Sequence, residues 1–394
     1  MRVLLIAQQC QVRNEGQPKA ERLAEFPDIE LMTLVPDRFF VEGKTLRRPD
    51  PPEKPAYRYE ISKVVWPWAG PAQWYLHWYP GLANILRSFR PDVIDLWEEP
   101  WGLLSVQTCW LRNRLLPATR ILSETEQNVK KNLPFPFETF RSYTLRNADF
   151  VIGRNQEAVD IARLKGYRGP AAVAPNGVDI ELFAPQEREA ARRELGFSGF
   201  VCGYVGRLVE QKGLAEMVDA LAHCPPDVTL VFVGSGPFQP EIERRVREAK
   251  REAQVRFLAN REREQLPAVM SALDVLLLPS RTTPRWKEQF GRVIIEAHAC
   301  RTPVIGSDSG AIPAVIGGGG VVVPERNPAA LAAAIRKLRD DPALRDRMGA
   351  VGRRQTEEHY SWQKVAALMR DIYLRIPPRA GAAARGCGAT EPAK

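Results

Sequence analysis

Residues 201–213, Val201-Cys202-Gly203-Tyr204-Val205-Gly206-Arg207-Leu208-Val209-Glu210-Gln211-Lys212-Gly213, read as a buried strand that runs into a glycine turn carrying two cations ahead of a helix. An apolar run without polar alternation suits a parallel strand covered on both faces. The theme repeats at Thr229–Val233, Val255–Leu258, Val275–Leu278, Val304–Gly306 and Val321–Val323, runs closed by turn residues such as Gly, Pro or Ser and followed by helical sequence. Strand and helix in strict alternation imply a doubly wound, Rossmann-type α/β domain.

The first half carries the same alternation. Val3–Ala7, Ile29–Val35, Val93–Trp97, Ile121–Glu124 and Phe150–Ile152 are strand candidates, and Leu82–Phe89, Gly102–Arg114, Phe137–Arg146 and Gln156–Lys165 are helix candidates, the last with Asn155 as its N-cap. Two α/β domains are therefore expected, 1–172 and 173–360, separated near Pro170–Pro185 where Pro175-Asn176-Gly177-Val178-Asp179 breaks the periodicity. Helices follow at about Pro328–Asp340 and Leu344–His359, and Ser361-Trp362 opens a last one over 361–376. Residues 377–394 hold too few large apolar groups to offset the entropy of ordering, so disorder is expected there.

Size and composition agree with this plan. The 394 residues exceed one ordinary core, and 44% hydrophobic with 26% charged residues are globular proportions. The apolar start Met1–Ala7 is shorter than a signal-peptide core, and no run reaches the ~18 residues of a membrane span. A cytoplasmic protein is expected, at most resting on the inner face of the membrane. Cys10, Cys109, Cys202, Cys224, Cys300 and Cys387 form no C-x-x-C pair, so reduced thiols are expected and no metal is. The net charge of +9 is spread over both halves without a basic run or a base-stacking motif, which argues against nucleic acid.

Ligands of doubly wound sheets bind beyond the carboxyl ends of the strands, and chemistry-bearing residues gather there. Arg207 offers a planar fork and Lys212 a compact charge, together suited to a diphosphate; two solvated surface cations would look the same. Gly234-Ser235-Gly236-Pro237 allows close backbone approach to a ligand, or merely a tight turn before a helix. After Val275–Leu278 comes Pro279-Ser280 and then Glu288-Gln289-Phe290-Gly291, with Glu296 expected about two turns into the next helix. Paired carboxylates suit vicinal hydroxyls, and a carboxylate inside Val-Ile-Ile-Glu-Ala needs a partner if buried.

In chain order the Asn176–Asp179 linker, Gly206-Arg207-Leu208 with Lys212-Gly213, Gly234-Ser235-Gly236, Pro279-Ser280 and the E-x7-E pair Glu288/Glu296 resemble the retaining GT-B glycosyltransferases of family 4. The likeness runs through most of the C-terminal half and is looser in the N-terminal half. It implies two Rossmann-like domains facing a central cleft, a nucleotide-diphosphate sugar held by the C-terminal domain, an unidentified acceptor held by the N-terminal domain, and a final helix crossing back to the first domain. It further implies that Arg207 and Lys212 bind the diphosphate, that Glu288 binds sugar hydroxyls and Glu296 the ribose, and that Gln289, Phe290 and Gly291 with the turns at Gly206, Gly234 and Gly236 line the donor. No cofactor or metal is implied beyond the sugar nucleotide.

The departures are as informative. Residues 7–16 hold one late glycine, where relatives carry a glycine-rich acceptor loop. The stretches Ile94-Asp95-Leu96-Trp97-Glu98-Glu99-Pro100 and Leu122-Ser123-Glu124-Thr125-Glu126-Gln127-Asn128 lack the family's histidine, and Pro313-Ala314 replaces its proline–glutamate. Glu124, at the end of a strand, is the expected stand-in for that histidine; Glu124 and Glu126 as solvated loop charges are the alternative. His77, His223, His298 and His359 fit no nucleophile or metal spacing and read as structural. The aromatic stretch Val65–Tyr79 and Lys130-Lys131-Asn132-Leu133-Pro134-Phe135-Pro136-Phe137 suit an acceptor, a peripheral contact with an anionic membrane, or packing. An inverting transferase, a sugar-nucleotide epimerase and a non-catalytic nucleotide-sugar sensor share this sequence pattern.

Overall fold

The computed structural model describes the chain except for residues 42–44, 66–72 and 380–394. Cys387, most of the 377–394 tail, and Trp66 and Trp68 of the aromatic stretch lie outside the described residues. The chain divides into two compact units, Met1–Ala174 with Ala366–Lys394, and Pro175–Val365.

In the first unit β1 (Arg2–Ile6), β2 (Glu30–Pro36), β5 (Arg58–Ser62), β6 (Val93–Leu96), β7 (Arg120–Thr125), β8 (Phe150–Gly153) and β9 (Ala171–Val173) form one sheet of order β5-β2-β1-β6-β7-β8-β9, while β3 (Phe39–Val41) and β4 (Thr45–Arg47) pair apart. Neighbours in the large sheet run parallel, with Val3 opposite Val93 and Ile6 opposite Leu96. Strand order reverses at β1, which places the switch point between β1 and β6. Leu4, Ile6, Met32, Leu34, Ile94 and Ile121 pack on one side against Leu82, Leu86, Phe89 and Leu104. The helix Gln156–Leu164 starts as its sequence says, with Asn155 accepting from the Ala158 amide at 2.9 Å.

The second unit holds β10 (Phe200–Val205), β11 (Val228–Val233), β12 (Val255–Leu258), β13 (Val275–Leu278), β14 (Val304–Ser307) and β15 (Gly320–Val323), all parallel in the order β12-β11-β10-β13-β14-β15. This is the Rossmann order, with its switch point between β10 and β13. Helices on both faces enclose a single core that includes Val201, Leu214, Phe232, Leu276, Ile294, Ile305 and Leu331.

The strands β3, β4, β5 and β9 and helices such as Gln17–Ala24 and Arg188–Leu195 escape the sequence reading. β5 and β9 are edge strands; Ile61 is 47% exposed and Ala171–Val173 is three residues long, so neither shows a buried apolar run. The helix Gln17–Ala24, QPKAERLA, buries polar Gln17 and Lys19 beside Ala20 and Leu23, which hides its inner face from hydrophobic periodicity. Two helix starts are corrected. The helix after Gly234-Ser235-Gly236 begins at Gln239 with Pro240, not Pro237, in its first turn. Glu296 lies one turn, not two, into the helix Arg292–Ala299.

From Ala366 the last helix, Trp362–Arg375, belongs to the first unit. There the Tyr373 hydroxyl donates to Asp95 Oδ2 at 2.6 Å, Arg370 pairs with Asp28 at 2.9 Å, and Arg120 reaches the Ile376 carbonyl at 3.0 Å. Among the described residues no helix is long and apolar enough to cross a membrane.

Candidate functional site

In the second unit the loops after β10, β11 and β13 lock to one another. Gly206 N–H donates to the Val233 carbonyl at 3.0 Å, and Leu208 N–H to that of Ser235 at 2.9 Å. A Cβ at Gly234 would stand 2.1 Å from the Gly206 carbonyl oxygen, and at Gly213, with φ +71°, 1.9 Å from that of Pro279. Glycine at these two places is thus a steric requirement of adjoining turns, whether or not a ligand enters. Arg207 is exposed on this rim, its carbonyl accepting from the Tyr204 hydroxyl at 2.8 Å.

Across the switch point Lys212 Nζ lies 2.6 Å from Glu288 Oε2, and Ser280 donates to the same oxygen at 2.9 Å. The ammonium also lies 5.0 Å from the centre of the Trp286 ring. Glu288 is 7% exposed, and its backbone carbonyl accepts from Ala311 N–H at 3.1 Å, which ties the loop to the turn after β14. Gly291, left-handed at φ +79°, then directs the chain into the helix Arg292–Ala299, and its carbonyl accepts from Ile294 N–H at 2.8 Å. Glu296 accepts from Arg263 at 3.1 Å, so the two carboxylates of the E-x7-E pair face different cations. The buried Glu296 has the partner its apolar neighbours demanded.

In the first unit a cavity of about 250 Å³ opens at the carboxyl ends of β1, β6 and β7, its lining including Gln8, Trp97, Glu98, Glu99, Trp101 and Glu126. Behind it lies a buried ionic cluster. Lys19 Nζ reaches Asp95 Oδ2 at 2.8 Å and Glu124 Oε1 at 2.5 Å, and Arg154 grips the other Glu124 oxygen. Lys19 and Arg154 also lie against the Trp97 ring, 4.6 and 4.7 Å from its centre. Glu124 was expected to stand in for the family's histidine as an acceptor contact, or else to be a solvated loop charge; it is 2% exposed and held between two cations. Burial alone would raise its pKa, but Arg154 and Lys19 outweigh burial and bring it to about 2, which keeps the carboxylate ionised.

The neighbouring acids behave oppositely. Burial raises Glu98 to about 8 against the Gln8 amide that donates to it at 3.3 Å, and burial raises Glu99 to about 7 although Thr125 and the Glu126 amide donate to it at 2.7 and 2.8 Å. Asp95 is also pushed up, by burial and by the charge of Glu124. His77 is buried between Phe39 and Tyr79 with Nε2 3.9 Å from Glu98, and His298 sits 3.1 Å from the Gly319 carbonyl, its pKa lowered to about 4 by burial. The sequence reading passed over Lys19, Asp95, Glu98, Glu99 and Arg154. Asp95 carried a signal, since a carboxylate inside the apolar strand Val93–Leu96 needs a partner as Glu296 does.

The family model for glycosyl transferases group 1 matches residues 187–355. A D-inositol 3-phosphate glycosyltransferase of Corynebacterium jeikeium is 31% identical over 312 residues, which cover 72% of this chain and 68% of that protein. The chain belongs to the glycosyl transferases group 1. It is a glycosyltransferase, hexosyltransferase in type, that draws its sugar from a nucleotide sugar. A GDP-mannose-dependent monoacylated alpha-(1-6)-phosphatidylinositol monomannoside mannosyltransferase of Corynebacterium glutamicum is 32% identical over 216 residues, 52% of this transferase and 56% of that one. Sucrose-phosphate synthase of Thermosynechococcus elongatus superposes with a TM-score of 0.73 at 23% identity, covering 95% and 98% of the two chains. Anabaena Alr3699/HepE in complex with UDP gives 0.73 at 20% identity, covering 94% and 99%. These likenesses and the two parallel sheets give the transferase the GT-B fold.

Proposed function

We propose that this chain is a retaining glycosyltransferase that moves a hexose from a UDP- or GDP-sugar held by the second unit to a hydroxyl of an acceptor held by the first. The observation that carries the reading is the Lys212–Glu288 pair, braced by Ser280 at the β10–β13 switch point, where doubly wound sheets bind ligands. In this reading Lys212 turns from Glu288 to the diphosphate when the donor enters. Arg207 joins it on the phosphates, and the freed Glu288 accepts from sugar hydroxyls. Glu296 with Arg263 holds the ribose edge, and the amides near Phe290-Gly291 face the sugar. The two cations then stabilise charge on the departing diphosphate while the acceptor hydroxyl attacks from the face it leaves, so the work is positioning and charge stabilisation. The names of relatives supply both nucleotides, GDP-mannose in one and UDP in a solved complex.

Thermal shift of the full chain with UDP- and GDP-sugars tests the donor. A ligand at 100 times its Kd stabilises by about 2.7 kcal/mol. Absence of a shift with every nucleotide sugar would refute the reading, and an inverted anomeric configuration in the product would refute retention.

The sequence 130–137 also supports a peripheral contact with an anionic membrane on the cytoplasmic face. Phe135 is 86% exposed and follows Lys130 and Lys131 on the same loop. An exposed aromatic beside cations suits the lipid headgroup region.

A further inference from the structure

We infer that the cavity at the carboxyl ends of β1, β6 and β7 receives an uncharged, hydroxyl-rich group, a sugar or polyol without phosphate. This rests on the proposal that the first unit holds the acceptor.

The lining decides the charge. Glu98, Glu99, Glu124 and Glu126 contribute four carboxyl groups, and among the described lining residues there is no Lys, Arg or His. The cations behind Trp97 are engaged, Lys19 with Asp95 and Glu124, and Arg154 with Glu124 and Glu126, the latter at 3.5 Å. A phosphomonoester of about −1.5 to −2 charge would find no free cation on this lining, and desolvating it there without a counter-ion is unfavourable. The relative named for D-inositol 3-phosphate therefore does not lend its acceptor to this chain.

Unpartnered polar atoms point to hydroxyls. Trp97 is 6% exposed and lines the cavity, and its Nε1 is buried without a hydrogen-bond partner. The side-chain carbonyl oxygens of Gln8 and Gln9, also in the lining, are buried without partners. One donor and two acceptors are thus left for a ligand, and a hydroxyl donates and accepts at once. Trp97, Trp101 and Tyr75 add aromatic surface for the C–H faces of a sugar ring. A volume of about 250 Å³ falls below the roughly 300–1,000 Å³ of drug-sized pockets and suits one ring. The raised pKa values of Glu98 and Glu99 keep protons on the wall near neutrality, so it acts as a set of hydroxyl partners more than as an amine trap.

The experiment gives the full chain its best nucleotide sugar and matched acceptors: myo-inositol and D-inositol 3-phosphate, mannose and mannose 6-phosphate, glucose and glucosamine. Transfer is followed by nucleotide diphosphate release, and acceptor binding by tryptophan fluorescence. Neutral members are expected to outperform their phosphorylated or amino partners at least tenfold, and Glu99→Gln to weaken neutral-acceptor binding. Trp97→Phe is expected to lose the fluorescence response while keeping the donor thermal shift. Equal or better use of a phosphorylated or amino acceptor overturns the inference. So does a chain that binds donor but gives no fluorescence response to any neutral acceptor. A chain that binds no nucleotide sugar fails at the donor, and the fluorescence response alone then decides the acceptor class.

Discussion

Lys212 and Glu288 form a 2.6 Å ion pair across the switch point of the second sheet, with Ser280 on the same carboxylate oxygen. The pair holds each side chain in place before a ligand arrives. Lys212→Ala and Arg207→Ala are each expected to lower turnover by about 10²- to 10³-fold, the scale of losing one charge stabiliser in a transition state. Steady-state rates of folded single variants check this; near-normal turnover in both would remove them from the diphosphate site.

Glu288 and Glu296 face different partners, Lys212 and Arg263. Glu288→Gln is expected to reduce transfer by about tenfold or more with free nucleotide affinity nearly intact, because the proposed function gives it the sugar. Glu296→Gln should weaken both, because the proposed function gives it the ribose. Calorimetry with UDP and GDP separates the two, and equal effects on nucleotide affinity would contradict the division of labour.

Much of this site was legible because its residues stand in loops between strongly apolar strands. Val275–Leu278 and Val201–Val205 announce buried parallel strands, and polar residues at their carboxyl ends face ligands in any doubly wound sheet. The first unit was less legible for a physical reason. Lys19 sits on a helix without clear amphipathic periodicity, and its partners Asp95 and Glu124 are 76 and 105 residues away. Spacing along the chain cannot announce a pairing made by sheet topology, so Glu124 read as an acceptor contact in place of a histidine, and Asp95 of β6 with Glu98 and Glu99 after it went unassigned.

Glu98 makes stability depend on pH. Its carboxyl is raised from 4.5 to about 8 by burial, so the folded state retains a proton that the unfolded state loses above pH 4.5. That stabilisation is full below pH 4.5 and is lost as pH rises toward 8. Glu98→Gln keeps the neutral shape and removes the titration. The variant is expected to match the parent at pH 5 and to exceed it by about 1 kcal/mol or more at pH 8. Melting curves across this range check the sign; a parent that gains on the variant as pH rises would contradict it.

Phe135 and the lysines beside it give a membrane test independent of catalysis. Phe135→Ser with Lys130→Ala and Lys131→Ala is expected to reduce co-sedimentation with anionic vesicles several-fold, at about 1 kcal/mol per lysine near the surface. Turnover on a soluble acceptor should be unchanged. Binding that is equal for parent and variant, or equal on neutral and anionic vesicles, would remove the contact.

Glu124 supplies the last expectation, because its setting separates a structural role from a catalytic one. Its carboxylate meets Lys19 at 2.5 Å and Arg154 on the other oxygen, and Asp95 shares Lys19 and accepts from Tyr373 of the final helix. Removing one partner from a buried ion pair costs about 3–5 kcal/mol, because the remaining charge is left uncompensated. Glu124→Gln leaves Lys19 with Asp95 alone and Arg154 with the half-exposed Glu126, so the loss falls at the lower end. It should appear as a lowered melting transition of the first unit, with donor affinity in the second unit preserved. Because Glu124 is ionised with a pKa near 2, transfer by the folded variant should show no new pH dependence between pH 6 and 8. Pairing it with Arg154→Met removes the stranded cation, and the double variant is expected to recover stability relative to the sum of the single losses. Stability unchanged in Glu124→Gln together with a large, pH-dependent loss of transfer would instead make Glu124 a proton-handling group.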